Sequence, residues 1–312
     1  GLDARALRSL VETRQRIDLD AELARLDKLG IAVLTWDDED YPRLLAELRG
    51  IDQAPPVLYL RGSLVETDVW ALAIVGTRRE TPYRRLVTHQ VAGELAANGL
   101  TIVSRLARGL DAEAHSAALA AGGRTIAVMP CGLDVIYPPE HRHLAAEIIR
   151  RGVVVSMFPL GTKPTAANFS ARNRLVSGLA RGVLVTEAGE KSGALITARH
   201  ALEQGREVFA VPGNITARGS AGTNALIQDG AHPVLSAQDV LDVLQLERVA
   251  DYASAREALP AMSGDERQVA GALSGEPVHV DDLAQRCGLP IAAVSTALVT
   301  LELKGMVQRV GP

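Results

Sequence analysis

The chain has 312 residues, of which 47% are apolar and 22% are charged, and this length allows a large core in two or more domains. No apolar run reaches the roughly 18 residues that a membrane helix needs, so the sequence predicts no membrane span. The two cysteines, Cys131 and Cys287, are far apart, which excludes a disulfide framework and a cysteine-based zinc site. So low a cysteine content favours a protein of the reducing cytoplasm.

The charge balance restricts nucleic-acid binding to a local site. The formal net charge is −4, whereas a protein that binds a polyanion over a broad surface is usually basic. Aromatic residues make up only 3% of the chain, which limits stacking on bases. A nucleic-acid site would therefore have to be a cluster of basic residues within an otherwise acidic chain.

Residues 1–58 are predicted to form a small helical region, in which Lys28 and Gly30 end one helix and "IAVLT" forms a short strand. Residues 59–245 alternate stretches of helical periodicity with short apolar runs, namely "ALAIVG", "LTIVS", "RTIAVM", "GVVVSMF", "GVLVTEA" and "REVFAVPG". Because these runs are apolar on both faces, they predict parallel strands covered by helices on both sides. We therefore predict an α/β domain with an extended Rossmann-like, doubly wound, mostly parallel sheet.

The last part of the chain has a different pattern. Residues 246–263 are predicted to be a linker, and residues 264–312 contain three short helical stretches and a trailing strand. Gly288 lies in the second turn and Pro290 opens the third helix, an order typical of a winged-helix domain. The third helix offers only Lys304 as a base, and acids outnumber bases over residues 264–312. We therefore expect this domain to serve protein contacts or weak, accessory DNA binding.

Basic residues follow most of the predicted strands. The turns after "ALAIVG", "LTIVS", "GVVVSMF" and "GVLVTEA" carry Arg or Lys, and together they contribute Arg78 (next to Thr77), Arg105, Arg108, Lys163, Arg172, Arg174 and Lys191 (next to Ser192). For any one of these residues alone, a solvated surface position is the commoner alternative. The carboxyl ends of parallel strands, however, meet at one edge of an open sheet, where ligands bind. We therefore expect these turns to form one basic site.

The segment "NFSARNRLVSGLA" places two of these arginines at an unfavourable position. Ser170 is predicted to be a helix N-cap, which puts Arg172 and Arg174 in the first turn. That turn already carries partial positive charge, so a cation there is unfavourable by a few tenths of a kcal/mol to about 1 kcal/mol. A polyanion between the arginines would reverse this effect, because backbone N–H groups and guanidinium groups both donate to phosphate. The pattern therefore predicts phosphate binding.

Other ligand and catalytic patterns are weak. No G-x-G-x-x-G follows a strand, which argues against dinucleotide binding. The glycine-rich stretch 213–222 either holds one phosphate through its backbone or is a flexible connection. Neither G-x-S-x-G nor H-E-x-x-H is present, so Glu187 at a strand end is the best acid candidate, and His115 and Cys131 are interpreted as packed residues. We predict no enzyme, no cofactor and no metal site.

The order of these motifs resembles the DNA-processing protein A family (DprA/Smf). The resemblance covers residues 55–245 and is carried by "AIVGTRR", "VSRLARGLDAEAH", "TIAVMPCGLDVIYPPEH", "ARNRLVSGLA", "VTEAGEKSGALITARHALEQGREVFAVPG" and "GTNALIQDGAHPV". It implies an extended Rossmann domain that binds single-stranded DNA, homodimerises and helps to load the RecA recombinase during natural transformation, without catalysis. A C-terminal winged-helix domain is also common in that family.

The resemblance also implies site residues. The basic DNA pocket would consist of Arg78, Lys163, Arg172, Asn173 and Arg174, with Phe169 close enough to stack on a base. Further members would be Thr77, Arg105, Arg108, Lys191 and Ser192. Two positions depart from the family pattern, since Arg105 stands where Gly is usual and Thr77 stands where Ser is usual.

The alternative is an enzyme of the lysine-decarboxylase-like Rossmann group, which cleaves nucleotide 5′-monophosphates as a phosphoribohydrolase. Those proteins have a related fold and a glycine-rich loop that leads into "GT". The corresponding stretch here is "GSAGTN", with Asn224 and no glutamate at the place where an acid would be needed. A third alternative, a winged-helix transcription factor, is disfavoured by the acidic C-terminal domain.

Overall fold

The computed structural model describes residues 8–9, 11–12, 14, 17–51, 53–78, 80–246, 264–273, 278–303 and 307. The chain divides into two compact units, Gly1–Ala250 and Asp251–Pro312. The predicted boundary at residue 58 does not separate compact units, because strands on both sides of it belong to one sheet. Most of the predicted linker, residues 247–263, lies outside the described residues, as do Lys304 and nearly all of the predicted trailing strand.

The first unit is built on a nine-stranded sheet in the order β1-β2-β6-β5-β4-β3-β7-β8-β9. Strands β3 to β9 run parallel to one another, and β1 and β2 extend the sheet in antiparallel pairs beside β6. The strands are β1 (Ala32–Thr35), β2 (Val57–Gly62), β3 (Ala71–Val75), β4 (Thr101–Ser104), β5 (Thr125–Val128), β6 (Val153–Ser156), β7 (Gly182–Val185), β8 (Glu207–Ala210) and β9 (His232–Pro233). The predicted doubly wound, mostly parallel sheet is confirmed.

Helices cover both faces of this sheet. They are α1 (Leu19–Leu29), α2 (Arg43–Ala46), α3 (Pro82–Ala97), α4 (Leu110–Ala120), α5 (Arg142–Arg151), α6 (Ala166–Gly178), α7 (Gly193–Glu203), α8 (Ala221–Gln228) and α9 (Ala237–Val243). Alternate residues of β3 enter different cores: Leu72 and Ile74 pack with α3, α4 and α9, whereas Val75 packs with α6 and α7. Strands β3 to β7 are thus buried on both faces, which explains their continuous apolar runs.

The order of the strands reverses at β3. The chain steps from β3 through β4 and β5 to β6 in one direction, and α6 then carries it to β7 on the other side of β3. The loops that leave the carboxyl ends of β3 and β7 therefore diverge. A crevice opens between diverging loops at such a switch point, and this is where open α/β sheets bind ligands.

The described part of the second unit, residues 264–273, 278–303 and 307, forms three helices, α10 (Gly264–Ala272), α11 (Val280–Cys287) and α12 (Ile291–Leu303). They enclose a core of their own that includes Val269, Leu283 and Val294. Gly288 ends α11 in the left-handed conformation at φ 61°, as a tight turn between helices requires. Within the described residues, no single helix is long and apolar enough to cross a membrane.

Candidate nucleic-acid interface

A cleft of about 370 Å³ lies at the carboxyl edge of the sheet, at the switch point. We call it the main compartment. It is lined by the loop after β3, the loop after β4, and the amino-terminal parts of α6 and α7, through residues Gly76, Thr77, Arg78, Arg105, Ala107, Ala166, Phe169, Ser170, Arg172, Asn173, Ser192, Gly193, Ala194 and Ile196. Four loops and helices that are distant in sequence therefore converge on one cavity, as the pattern of turns predicted.

A second, smaller cavity adjoins the first. We call it the Arg108 compartment, and it is lined by Arg78, Arg105, Ala107, Arg108, Pro130, Tyr137, Pro138, Phe169 and Arg172. The two compartments have Phe169 and three of the arginines in common, Arg78, Arg105 and Arg172. The cleft is therefore a basic groove organised around a single aromatic ring.

The half-buried ring of Phe169 is surrounded by cations and by a second aromatic ring. The guanidinium carbons of Arg78 and Arg172 lie 5.3 Å and 5.8 Å from its centroid, within the range of a cation–π interaction. Tyr137 meets the ring edge-on, with 5.6 Å between centroids. These contacts fix the orientation of Phe169 in the cleft.

The start of α6 corrects the sequence prediction. The N-cap is Thr165, whose hydroxyl accepts a hydrogen bond from the Asn168 N–H at 3.3 Å, and Ser170 lies inside the helix. Arg172 and Arg174 are therefore not in the first turn, and the predicted conflict with the helix dipole does not arise. Arg172 instead lies 2% exposed and donates from Nη1 to the carbonyl oxygens of Arg105 at 2.8 Å and Val128 at 2.5 Å.

Arg172 is a buried cation that forms no ion pair with a carboxylate among the described residues. Burial, followed by the charge of Arg105, lowers its pKa to about 9, so it stays protonated at neutral pH. Its Nε atom is buried and has no hydrogen-bond partner among the described residues. Because Arg172 also lines both compartments, the cleft is built around a buried positive charge.

Arg105 serves a structural purpose that the sequence did not reveal. It is 8% exposed and pairs with Asp111 through two hydrogen bonds, Nε to Oδ2 at 2.6 Å and Nη2 to Oδ1 at 2.8 Å. Its Nη2 also donates to the Gly76 carbonyl, and Asp111 accepts from the Gly76 N–H. Arg105 therefore ties the loops after β3 and β4 together rather than presenting a free guanidinium to phosphate.

The loop after β4 contains two residues with positive φ angles, Leu106 and Gly109. Leu106 has a left-handed φ of 53°, and its carbonyl contacts His141 Nδ1 at 2.9 Å. Gly109 has φ 82°, and a Cβ at this position would collide with the Thr77 carbonyl oxygen. This close approach holds Arg108 beside the cleft, where it is exposed and forms an ion pair with Glu140.

The first turn of α7 supplies neutral polar groups. The Ser192 hydroxyl caps the helix by accepting from the Ala194 N–H at 3.3 Å, and Gly193 leaves open space where a side chain would stand. Asn173 Nδ2 lies 3.5 Å from the Gly193 carbonyl oxygen. The positive end of the helix dipole therefore faces the main compartment, an arrangement that favours anions.

Three of the predicted basic residues do not line either compartment, namely Lys163, Arg174 and Lys191. Lys163 is exposed in the loop before α6, and its carbonyl accepts from Asn168 Nδ2 at 3.0 Å. Arg174 is on α6 but does not line the cleft, and its carbonyl oxygen accepts a hydrogen bond from Gln204 Nε2. Conversely, sequence analysis missed Tyr137, Asp111 and Glu140, since nothing in their local sequence marks them as neighbours of these arginines.

The glycine-rich stretch 213–222 is closed by the protein's own side chains. Asn224 bonds to both the N–H and the carbonyl of Gly213 at 3.0 Å, and buried Arg84 donates to Ser220 Oγ at 3.0 Å. Glu187 is buried beside this loop, and burial raises its pKa. The sequence left open whether this stretch holds a phosphate or is a flexible connection. Phosphate binding is not favoured, because Asn224 already bonds to the Gly213 backbone and Arg84 already bonds to Ser220.

Two residues interpreted as packed from the sequence are buried in the structure. His115 Nδ1 contacts Thr125 Oγ1 at 2.6 Å inside the core, and burial lowers its pKa to about 4. Cys131 is also buried, which raises the pKa of its thiol to about 11 and makes it a poor nucleophile. Among the described residues, no group of three or more His, Cys, Asp or Glu side chains is arranged to hold a metal ion.

Comparison with protein families assigns the chain to a known family. Residues 32–245 match the model of the DNA recombination-mediator protein A family. The chain belongs to this family. A second match, to the DprA winged helix domain, covers residues 253–311 and confirms the predicted C-terminal winged-helix domain.

Individual members of the DNA recombination-mediator protein A family show the same relationship. The Smf protein of Escherichia coli is 39% identical over 305 residues, which cover 95% of this chain and 80% of that protein. DprA of Bacillus subtilis is 40% identical over 231 residues, covering 74% of this chain and 76% of that protein. The first of these relatives matches nearly the whole chain, and the second matches about three quarters of it.

Two solved structures of family members have the same fold. DprA from Streptococcus pneumoniae superposes with a TM-score of 0.68 at 40% identity, covering 74% of this chain and 80% of that chain. DNA processing protein A from Helicobacter pylori superposes with a TM-score of 0.62 at 34% identity, covering 70% and 97%. The latter structure is described as giving insight into a unique single-stranded DNA binding mode of that protein.

Proposed function

We propose that this protein binds single-stranded DNA in the main compartment and helps to load the RecA recombinase onto it during natural transformation. The observation that carries the proposal is the ring of Phe169 with two guanidinium groups within about 6 Å of its centroid. Arg78 is exposed and forms no ion pair with a carboxylate among the described residues, and Arg172 is a buried cation beside the same ring. The single-stranded DNA binding described for the Helicobacter pylori relative supports the same assignment.

The mechanism uses two kinds of contact. Phosphates are held by Arg78 and by the N–H groups at the start of α7, which act on charge and not on base identity. A base stacks against Phe169, and every base has a π-face that can do so. Both contacts tolerate any sequence, so we expect little sequence preference. An unpaired base can reach a recessed ring, whereas a base within a duplex is already stacked.

The acidic balance of the whole chain is compatible with this function. Four arginines line the cleft, and only two of them, Arg105 and Arg108, have carboxylate partners among the described residues. The local charge therefore has the sign that attracts phosphate, although the net charge of the chain is −4.

Titration of a short fluorescent oligothymidylate with the full chain, repeated over a series of salt concentrations, tests the proposal. We expect saturable binding that weakens as salt is raised, with much weaker binding to a duplex of the same length. Absence of salt-dependent binding to the single strand would contradict it.

RecA loading and homodimer formation rest on membership of the family. RecA loading predicts that the protein accelerates the onset of RecA-catalysed ATP hydrolysis on single-stranded DNA, measured against RecA alone. The homodimer predicts twice the chain mass in sedimentation equilibrium. We assign the protein to the cytoplasm and give it no catalytic step, so incubation with nucleotide 5′-monophosphates should release no free base, in contrast to a phosphoribohydrolase.

The winged-helix unit is proposed to be an accessory module. Its described acids include Asp265, Asp281 and Asp282, and α12 exposes the apolar side chains Ile291 and Val299. Such a surface should repel the backbone of duplex DNA. Tight binding of duplex DNA that disappears when residues 251–312 are removed would contradict this role.

A further inference from the structure

The Arg108 compartment contains residues to which the proposed function gives no role. It is lined by Arg108 and Tyr137, which do not line the main compartment, and it shares Arg78, Arg172 and Phe169 with the main compartment. Both compartments therefore border the ring of Phe169 and are lined by arginines. A strand whose base stacks on Phe169 has a phosphate on each side of the stacked nucleotide, so each compartment faces one phosphate.

The only carboxylate that contacts an exposed arginine of this compartment, among the residues described, is Glu140, which accepts from Arg108 Nε. Both side chains are open to water, Arg108 at 64% exposure and Glu140 at 46%. Glu140 lies in the turn Pro139–His141, and the contact between His141 and the Leu106 carbonyl fixes this turn against the loop that carries Arg108. The carboxylate is therefore held where it meets the guanidinium.

The two ion pairs of the compartment differ in whether an incoming anion can replace the carboxylate. Asp111 is fully buried, bonds to Arg105 through both oxygens and also accepts from the Gly76 N–H. Separating that pair would leave a buried charge unpaired, which is strongly unfavourable. Glu140 would return to water if it left Arg108, and exposed pairs of this kind contribute little to stability. Arg108 is thus the arginine that can exchange its partner.

We propose that the Arg108 compartment is a second phosphodiester subsite for the single strand, and that Glu140 occupies Arg108 until a phosphate displaces it. The inference rests on the proposed single-strand binding and adds to it. A phosphate group accepts two parallel hydrogen bonds from a guanidinium and carries a full charge, so it competes well with one carboxylate oxygen. The subsite is therefore restrained by the protein's own carboxylate, and Glu140 lowers the affinity for any single strand.

The test is the variant Glu140→Gln, which removes the charge and keeps the size of the side chain. We expect its affinity for oligothymidylate to rise about two- to fivefold, the range that an exposed ion pair allows. The matched control is Glu147→Gln, because Glu147 pairs with Arg150 in an equally exposed i,i+3 pair on α5. This control should leave the affinity unchanged.

A second variant separates release of Arg108 from the general loss of one negative charge. In the double variant Arg108→Ala/Glu140→Gln, the gain should vanish relative to Arg108→Ala alone, because no guanidinium remains to be released. A gain that persists without Arg108, or no gain in Glu140→Gln itself, would overturn the subsite while wild-type binding leaves the proposed function intact. Failure of the wild-type protein to bind the oligonucleotide would overturn both.

Discussion

The guanidinium carbon of Arg78 lies 5.3 Å from the centre of the Phe169 ring, although the two residues belong to separate crossovers of the sheet. Arg78 follows β3, whereas Phe169 lies on α6, which connects β6 to β7 on the opposite side of β3. The contact therefore exists only because the strand order reverses there. It places an exposed cation and a stacking surface within reach of one nucleotide.

Replacing Arg78 with Ala should weaken binding of oligothymidylate by about tenfold, since a charged phosphate contact is lost. The slope of log K against log[salt] should become shallower by about 0.7, the value for one phosphate contact on a single strand. Fluorescence anisotropy across a salt series measures both quantities. The control is Arg150→Ala on the carboxyl end of α5, which removes the same charge far from the carboxyl edge of the sheet. Equal effects of the two variants would contradict the assigned site.

Replacing Phe169 with Ala should reduce the binding free energy by about 1–3 kcal/mol through loss of stacking. The salt slope should stay at the wild-type value, because no phosphate contact is removed. Phe169→Tyr keeps an aromatic face and should retain most of the affinity. A shallower slope in Phe169→Ala would show that the ring positions a cation rather than a base.

Replacing Arg172 with Ala should act mainly on folding. The carbonyl oxygens of Arg105 and Val128 lose their buried donor, and we expect the free energy of unfolding of the first unit to fall by about 2–4 kcal/mol. Denaturant titration followed by circular dichroism measures this change. Arg174→Ala, on the same helix but only half-buried, is the matched control and should have a small effect. Equal midpoints for the two variants would contradict the buried role of Arg172.

Burial of His115 should make the first unit less stable in mild acid. Burial lowers the pKa of His115 to about 4 against an ordinary value of 6.5, so the unfolded chain binds a proton that the folded chain excludes. The corresponding stability is fully present above pH 6.5 and is lost as the pH falls toward 4, amounting to about 3 kcal/mol at most. Unfolding midpoints measured at several pH values reveal it.

The variant His115→Gln isolates this contribution. Glu187 acts in the opposite sense, because burial raises the pKa of that carboxyl, so the difference between wild type and variant is more informative than the wild-type curve alone. The decline between pH 6.5 and 4 should be smaller in His115→Gln. An identical decline would mean that other groups account for it.

Sequence patterns determined the sheet of the first unit well and the ionic contacts poorly. The strands were predictable because burial on both faces leaves an unbroken apolar run, as in β3, where Ala71–Val75 are all buried. The start of α6 was predicted wrongly because both Ser170 and Thr165 are acceptable caps, and only the path of the chain after Pro164 selects Thr165. Convergence of the turns on one edge followed from the parallel topology.

The carboxylate partners of Arg105 and Arg108 could not be predicted from the sequence. Asp111 is close to Arg105 in sequence, yet the two meet only because Leu106 and Gly109 adopt left-handed conformations between them. Glu140 comes from a different crossover, between β5 and β6, and its contact with Arg108 spans 32 residues of the chain. A pattern of basic residues therefore located the cleft, while the division of its arginines into buried cross-links and exchangeable groups required the structure.

The burial of Arg172 has a consequence for the ionic conditions under which the cleft retains its attraction. Mobile ions shield exposed charges within about 10 Å at moderate salt but act weakly on a charge enclosed by protein. Added salt should therefore weaken the attraction between phosphate and the exposed guanidinium groups first. The buried guanidinium of Arg172 should still attract one anion at the base of the groove.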